Sequence, residues 1–258
     1  MKRVLLLGGN MKLLHGDCLE LMKEIEDESI SLILCDPPYG STNIKGWDKV
    51  IDFKKMWEQY KRIIKPNGTI VLFGSQPFTS WMITSNPEMF RYEWIWDKTR
   101  GSNFLNANYQ PMKSHENIMV FSKLPTSPNK KGTATYNPQK TGTDEYVSKL
   151  GAKSDTFNGG SVKSVATTLK GKHPKSIITF KKDGKLHPTQ KPVPLLEYLI
   201  RTYTNEGDTV LDNCMGSAST GVACINTRRR FIGMELDPKY FEIAVQRIAA
   251  AESQIEWH

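Results

Sequence analysis

The sequence of 258 residues predicts an α/β fold: a doubly wound, mostly parallel sheet with a basic surface insertion. Two short apolar runs, Ile30–Cys35 and Thr69–Phe73, are typical of strands buried on both faces of a parallel sheet. Near the carboxyl end, the order strand, glycine-containing loop, helix and acid-ended strand is typical of a nucleotide-binding βαβ unit.

Apolar spacing predicts the other elements of the first half. Asp52 is expected to open an amphipathic helix that Pro66 to Gly68 ends. Trp57, Trp94 and Trp96 are interpreted as core residues. The predicted elements are a strand from 11, a helix over roughly 18 to 25, a strand ending at 36, a helix from 52, and strands over 69–73, 91–96 and 117–121.

In the second half of the chain, further strands and helices are predicted after a segment of different composition. From Pro125 to about Gly184, small and polar residues predict an insertion on the surface of the core. The elements predicted beyond it are a helix through 203, a strand over 208–212, a helix to about 226, a strand over 230–235 and a helix from 238 to 250.

The first ten residues allow two interpretations. Leu7-Gly8-Gly9-Asn10 precedes Met11, where a clear strand pattern begins. Either Met11 is the natural start, or residues before it form an extra strand.

The formal net charge of +8 lies in one segment. Between Lys123 and Lys185 there are thirteen lysines, no arginine and four acids, a net charge of +9. Such a segment indicates a surface for phosphate backbones. A solvated, lysine-rich insertion without a partner is the alternative.

The spacing of the cysteines and the length of the apolar stretches limit the classes of protein to which the chain can belong. Cys18, Cys35, Cys214 and Cys224 lack metal-site or disulfide spacing, which favours a reducing cytoplasm and a small core residue at each position. We therefore expect no metal. No apolar stretch approaches the roughly 20 residues of a membrane span.

The segment Asp36-Pro37-Pro38-Tyr39 follows the first buried strand. Strand ends of this kind bind ligands in open α/β sheets. Asp36 and the Pro37 carbonyl offer two acceptors to an amino group, and Tyr39 offers a face to a flat ring. These residues indicate a site for an exocyclic amine on an aromatic heterocycle. An ordinary proline-rich turn is the alternative.

The loop from Gly216 to Gly221 lies between a strand and a helix, and Glu235 follows Gly216 by 19 positions. This spacing suits a carboxylate that binds ribose hydroxyls. Ala218 replaces the middle glycine and would hinder a pyrophosphate, so a cofactor with an amino-acid carboxylate fits better. A βαβ unit without a ligand is the alternative.

The tetrapeptide at 36–39 and the segment Leu211 to Ser217, in this order around a basic insertion, resemble the β-class amino-methyltransferases of DNA, which use S-adenosylmethionine. The segment His187 to Pro192 and the segment Gly16 to Cys18 look like two further motifs of that family. The resemblance covers 11–248 except the insertion. It implies a Rossmann-like methyltransferase sheet with a catalytic half at 11–122, a target-recognition insertion at 123–185 and a cofactor half at 186–258.

The resemblance also implies residue roles. Asp36, Pro37, Pro38 and Tyr39 would be catalytic. Asp17 would lie near the cofactor adenine and Glu235 would bind the ribose. The other implied cofactor-binding residues are Cys18, Asp36, His187, Thr189, Gln190, Lys191, Asp212, Cys214, Gly216, Ser217, Ala218 and Thr220. Asn213, Cys214 and Ala218 depart from residues common in the family.

The chemistry expected is direct, in-line attack of a base amine on the sulfonium methyl. The base must leave the duplex, with Tyr39 as its stacking partner and Phe73 or Phe78 as the other wall, or both phenylalanines lie in the core. Asp at the first tetrapeptide position resembles adenine-N6 enzymes, so double-stranded DNA with adenine as the target is the first prediction.

Other functions stay open. They are methylation of cytosine N4, of RNA or of a protein glutamine, and a catalytically silent DNA-binding protein; an NAD-dependent dehydrogenase is disfavoured by Ala218. A homodimer and a restriction endonuclease partner are also open. We expect a cytoplasmic location in a bacterial or phage-infected cell, without membrane attachment.

Overall fold

The structure is a computed structural model, and it describes residues 3–40, 50–127, 132–149, 166–182 and 190–254. The strands are β1 (Arg3–Leu7), β2 (Met11–His15), β3 (Ile30–Cys35), β4 (Ile64–Gly74), β5 (Phe90–Ser102), β6 (Lys113–Ser122), β7 (Thr141–Lys149), β8 (Ala166–Lys172), β9 (Ile177–Thr179), β10 (Thr209–Asp212) and β11 (Arg230–Glu235). The helices are α1 (Cys18–Leu21), α2 (Phe53–Ile63), α3 (Phe78–Ser85), α4 (Val193–Tyr203), α5 (Ser219–Asn226) and α6 (Pro238–Glu252), with 3-10 turns at Met22–Glu24 and Phe104–Asn106.

The main sheet has the strand order β1-β2-β11-β10-β3-β4-β6-β5-β9 within the described residues. Strands β2, β11, β10, β3 and β4 are mutually parallel, so their carboxyl ends meet at one edge, which we call the carboxyl edge. Strand β6 runs antiparallel to both of its neighbours, and β1 is antiparallel to β2. The predicted doubly wound, mostly parallel sheet is confirmed.

Helices cover both faces of this sheet. Helices α4, α5 and α6 pack on one face through a core that includes Leu199, Phe231 and Phe241. Helix α2 packs on the other face through Met56 and Tyr60. Because both faces are covered, all six residues of β3 are buried. The connections from β3 and β10 run to opposite sides of the sheet, so the strand order reverses between these two strands.

Strand β4 begins earlier than predicted. Helix α2 has Asp52 as its N-cap, as expected, but ends at Ile63, and the chain is extended from Ile64 through Pro66 to Gly68. The β3–β4 register shifts here, between the pairs of Ile30 and Leu32. A bulge accommodates Pro66, which has no N–H to donate to the neighbouring strand. Gly68 allows the close approach of the two strands, because a Cβ there would lie 2.9 Å from the Ser31 carbonyl.

The described part of the predicted insertion divides between two compact units. One unit consists of 1–137 and 176–258, and the other of 138–175. The smaller unit contains the antiparallel pair of β7 and β8. In the larger unit, the Asn137 N–H donates to the Thr202 carbonyl at 2.7 Å.

The first residues form an edge strand. Strand β1 pairs with β2 along its whole length, from Arg3 opposite His15 to Leu7 opposite Met11. An extra strand was one of the two interpretations of this segment.

Gly221 allows α5 to lie against the sheet. A Cβ at this position would lie 2.5 Å from Ile248 Cδ1 and 2.8 Å from Phe231 Cε1. The absence of a side chain at Gly221 therefore lets α5 pack closely against β11 and α6.

We predict that Gly221→Ala lowers the free energy of unfolding by about 1–3 kcal/mol, because the added methyl overpacks the contact with Phe231 and Ile248. Denaturant unfolding measures this change. In an uncrowded helix the same substitution would stabilise by about 1 kcal/mol, so a stability gain would contradict the packing described here.

Candidate active site

A cavity of about 1010 Å³ opens at the carboxyl edge. The ends of β2, β3, β10 and β11 contribute Asp17, Asp36, Asp212 and Glu235 to its lining. Strands β3 and β10 are the pair at which the strand order reverses, the place where open α/β sheets bind ligands. Four carboxylates from distant parts of the sequence thus face one space.

The predicted catalytic segment lines one end of this cavity. The Tyr39 hydroxyl donates a hydrogen bond to Asp36 Oδ1 at 2.5 Å, and the Phe78 ring packs against the Tyr39 ring at a centroid distance of 4.8 Å. Burial and the charge of Asp36 raise the pKa of Tyr39 well above its ordinary value. Tyr39 therefore stays protonated and orients Asp36 as a donor.

Lys191 occupies the other oxygen of Asp36. Its ammonium forms an ion pair with Asp36 Oδ2 and lies 3.3 Å from Glu116 Oε2, while the side chain is buried. Burial opposes the charge of Lys191, but the two carboxylates outweigh it and raise the pKa. Its ammonium also lies 5.0 Å from the Phe73 ring centroid.

Glu116, on β6, links the ion pairs of Lys191 to a lysine on β5. Its Oε1 pairs with Lys98 Nζ at 3.3 Å. Burial alone would raise the pKa of Glu116, but Lys191 and Lys98 overcome that effect and lower it. Two carboxylates and two ammonium groups thus alternate in the order Asp36, Lys191, Glu116, Lys98; we call these residues the charge chain. Sequence reasoning missed Glu116 and Lys98.

Asp212 ends β10 and organises the loop that follows. Its Oδ1 accepts from the Cys214 N–H at 3.1 Å, and its Oδ2 accepts from the Thr220 hydroxyl at 2.6 Å. Burial raises the pKa of Asp212 to about 7, although both hydrogen bonds oppose the shift. Asp212 and Thr220 therefore hold the two ends of the loop together.

Glu235 ends β11 beside the same loop. Its Oε2 accepts from the Gly216 N–H at 2.9 Å, and its Oε1 accepts from the Asp237 N–H at 2.8 Å. Burial raises its pKa against these bonds. Each carboxylate oxygen has two lone pairs, so acceptor capacity remains for hydroxyl groups in the cavity. Across the cavity, Asp17 caps α1 by accepting from the Leu19 N–H at 2.8 Å.

Ala218 differs from its predicted placement. It adopts a left-handed backbone conformation, with φ 58° and ψ 40°, and its methyl group is fully buried in the core rather than lining the cavity. Ala218 therefore does not line the cavity, and the expectation that its methyl group would hinder a pyrophosphate is wrong. Gly216, Ser217 and Thr220 line the cavity as expected.

The motif before α4 is described in part. His187 and Thr189 lie outside the described residues. Gln190 and Lys191 line the cavity, and Gln190 Oε1 is buried without a hydrogen-bond partner in the described part of the chain. This orphaned acceptor marks a place for a ligand donor.

The cysteines fall into two groups. Cys35 and Cys224 are buried, as predicted, but Cys18 and Cys214 are half-buried and line the cavity. The earlier assignment of all four to the core is wrong for these two. Contact with Cys214, together with burial, raises the pKa of Cys18. This thiol is therefore uncharged where it lines the cavity, and it is not a nucleophile.

The two phenylalanines proposed as a wall have different positions. Phe73 is buried and lines the cavity, whereas Phe78 packs behind Tyr39 in the core. Trp57, Trp94 and Trp96 are buried as predicted, but Trp96 also lines the cavity.

Within the described ranges, no group of three or more His, Cys, Asp or Glu side chains could hold a metal ion. Nor does any helix in that part of the chain have the length and apolarity to cross a membrane.

The fold and the site together define a Rossmann-like methyltransferase. The family model described as "DNA methylase", of the N6/N4 class, matches residues 30–246, and the chain belongs to this family. It is thus a DNA methyltransferase of the N6/N4 class, with S-adenosylmethionine as the cofactor.

Individual proteins agree with this family. The chain is 29% identical to the type II methyltransferase M.HpaI of Haemophilus parainfluenzae, over 93% of this chain and 74% of that protein. It is 31% identical to the type II methyltransferase M2.DpnII of Streptococcus pneumoniae, over 93% and 90%. The structure of the cytosine-N4-specific PvuII DNA methyltransferase shares the fold, with a TM-score of 0.66. The sequence identity is 17%, and the match covers 95% of this chain and 92% of that chain.

We predict that Asp212→Asn makes stability less dependent on pH. Because the folded-state pKa of Asp212 is raised, wild type loses stability as pH rises from the ordinary carboxyl range through about 7, whereas the amide cannot ionise. Over this range, the free energy of unfolding of the variant should rise relative to that of wild type by up to about 4 kcal/mol, at about 1.4 kcal/mol per pKa unit. Denaturant unfolding across this pH range measures the difference, and parallel pH profiles would contradict it.

Proposed function

We propose that this chain transfers the methyl group of S-adenosylmethionine to the N6 amine of an adenine that has left a DNA duplex. The observation that carries the proposal is Asp36, held by Tyr39 at the carboxyl edge, in the same cavity as Glu235. The volume of about 1010 Å³ is at the upper end for a single ligand site, which suits a cofactor and a base together.

The cofactor would lie along β10 and β11. Glu235 would accept from ribose hydroxyls with its remaining lone pairs, and Asp17 would lie near the adenine. The loop from Cys214 to Thr220, positioned by Asp212, would line the methionine part. The predicted contacts of His187 and Thr189 lie outside the described residues, while Gln190 Oε1 is an available acceptor for the ammonium of the cofactor. The bound cofactor supplies a methyl group on a positively charged sulfur.

The amine would bind at Asp36. Both oxygens of this carboxylate already have partners, the Tyr39 hydroxyl and the Lys191 ammonium. Each oxygen keeps a second lone pair, so an amine could donate to Asp36 beside these partners or replace Lys191 at Oδ2. The proposed route is replacement, because a second carboxylate is at hand for the displaced ammonium. Glu116 lies next to Lys191 and can keep its ammonium paired in the site, while Asp36 retains the Tyr39 hydroxyl and gains the amine as donors.

The residues then orient the attack. Asp36 and the Pro37 carbonyl would accept the two amine N–H groups, which localises the nitrogen lone pair toward the sulfonium methyl. With the cofactor bound, the methyl carbon would pass from sulfur to nitrogen in one displacement, and water would take the proton from the product. Positioning and electrostatic stabilisation supply the catalysis, without a covalent enzyme intermediate.

Adenine is favoured over cytosine by Asp36 at the first tetrapeptide position. Cytosine N4 is the second candidate, because the cytosine-N4-specific PvuII enzyme has the same fold. The lysine-rich segment 123–185 would contact DNA phosphates. A homodimer and a restriction endonuclease partner remain predictions.

Methyl transfer to unmethylated DNA, followed by nucleoside mass analysis, tests the proposal. N6-methyladenosine in the deoxynucleoside pool is the expected product. N4-methylcytidine would agree with the mechanism but contradict adenine as the target base. Cofactor binding without any methylated nucleoside would overturn the function.

Asp36→Asn should reduce methyl transfer by about 10²–10³-fold or more, because the amide cannot stabilise positive charge on the amine. Binding of S-adenosylmethionine, measured by calorimetry, should persist. Asp27→Asn, at an exposed aspartate that pairs with Arg62, serves as the control and should retain activity. A fully active Asp36→Asn enzyme would contradict the role of this carboxylate.

Glu116→Gln should lower kcat by about tenfold or more while cofactor affinity stays within a few-fold, because a neutral amide holds the displaced Lys191 less strongly. Glu93→Gln is the matched control: this carboxylate lies on β5 and accepts from the Asn117 amide at 2.9 Å, not from a lysine. Thermal unfolding of both variants separates loss of structure from loss of catalysis. Equal kcat values for Glu116→Gln and wild type would exclude the exchange.

A further inference from the structure

The hairpin of β5 and β6 ends in an apolar tip, which we define as residues 103–112. Phe104, Leu105 and Tyr109 are 79%, 92% and 90% exposed, and Met112 is 45% exposed. Large side chains exposed together at one place mark an interaction site more often than isolated ones do. The function described so far assigns nothing to them.

The tip projects from the carboxyl edge. Strand β4 ends at Gly74, opposite Asn117, and β6 begins four residues before this asparagine, at Lys113. The Lys113 ammonium contacts the Ser75 hydroxyl, just beyond the end of β4. Strands β5 and β6 also carry Lys98 and Glu116, which form an ion pair, and Glu116 lines the cavity. The exposed tip and the charge chain are thus parts of one hairpin.

The tip has a defined conformation of its own. Asn103 is in the left-handed region, with φ 70°, and its Oδ1 accepts from the Asn106 amide at 3.0 Å. The Tyr109 N–H donates to the Asn106 carbonyl at 2.9 Å. Met112 packs across Gly101, where a Cβ would lie 2.7 Å from the Met112 Cβ. The apolar side chains are therefore presented by a hydrogen-bonded loop.

The flanks of the tip suit a polyanion. No acid occurs between Asp97 and Glu116 in the sequence. Lys98 is engaged by Glu116, which leaves Arg100, exposed, and Lys113 as the cations at the base of the tip. Apolar residues with basic flanks match a duplex whose phosphates surround stacked, apolar bases.

We infer that the tip inserts Phe104 and Leu105 into the base stack of double-stranded DNA at the step from which the target base leaves. The inference rests on the proposed function and adds to it a device for extruding the base. Unstacking a base step costs free energy, and an aromatic ring stacked on the exposed base returns some of it. A wedge at the carboxyl edge thus offsets part of the cost of bringing a base to Asp36.

The test uses the double variant Phe104→Ser, Leu105→Ser. Sequencing of DNA methylated by wild type first identifies the target site. Duplexes with this site are then prepared with the target base either paired or opposite a mismatch, which lowers the cost of extrusion. The control is Leu6→Ser, at a leucine that is 71% exposed on the edge strand β1.

We expect kcat/KM of the double variant to fall tenfold or more on the paired duplex and to recover to within about threefold of wild type on the mismatched duplex. Leu6→Ser should match wild type on both. Equal losses on both duplexes, or no loss, would overturn the wedge. A loss accompanied by conversion of a dimer to a monomer in sedimentation would assign the tip to contact between copies of the chain instead. Absence of DNA methylation by wild type would overturn the proposed function itself, and the wedge with it.

Discussion

The ion pair between Lys191 and Asp36 is the contact on which the arrangement of the site depends. It joins the end of β3 to the segment before α4, which are 155 positions apart in the sequence. Both groups are largely removed from water, so each would be costly without the other. Glu116 and Lys98 continue the alternation of charge, which leaves Lys191 with two carboxylates rather than one. A lysine shared in this way can leave one partner without losing both.

The fold places these groups by simple rules. Parallel strands bring their carboxyl ends to one edge, and the reversal of strand order between β10 and β3 opens a crevice there. The acids that end β3, β10 and β11 therefore face a common cavity. The antiparallel strand β6 brings Glu116 to the same edge from the opposite chain direction. Rigid strands thus carry most of the charged groups, which favours defined distances.

Much of this architecture could be predicted from the sequence. Strand β11 has the predicted bounds, and α2 begins after the predicted N-cap, because apolar spacing and capping are local signals. Glu116 and Lys98 could not be predicted, since their contact depends on the β5–β6 register, which pairs Trp96 with Glu116. The buried placement of Ala218 depends on a left-handed backbone that alanine rarely adopts. The early start of β4 follows from a bulge opposite β3, another non-local feature.

The most direct test of the account is a crystal structure of the protein with a target duplex and a non-reactive analogue of S-adenosylmethionine. We predict that the exocyclic amine of the extruded base donates to Asp36 and the Pro37 carbonyl, and that Lys191 has moved to Glu116 alone. A structure in which the base is bound while Lys191 still pairs with Asp36 Oδ2 would contradict the exchange on which the proposed mechanism rests.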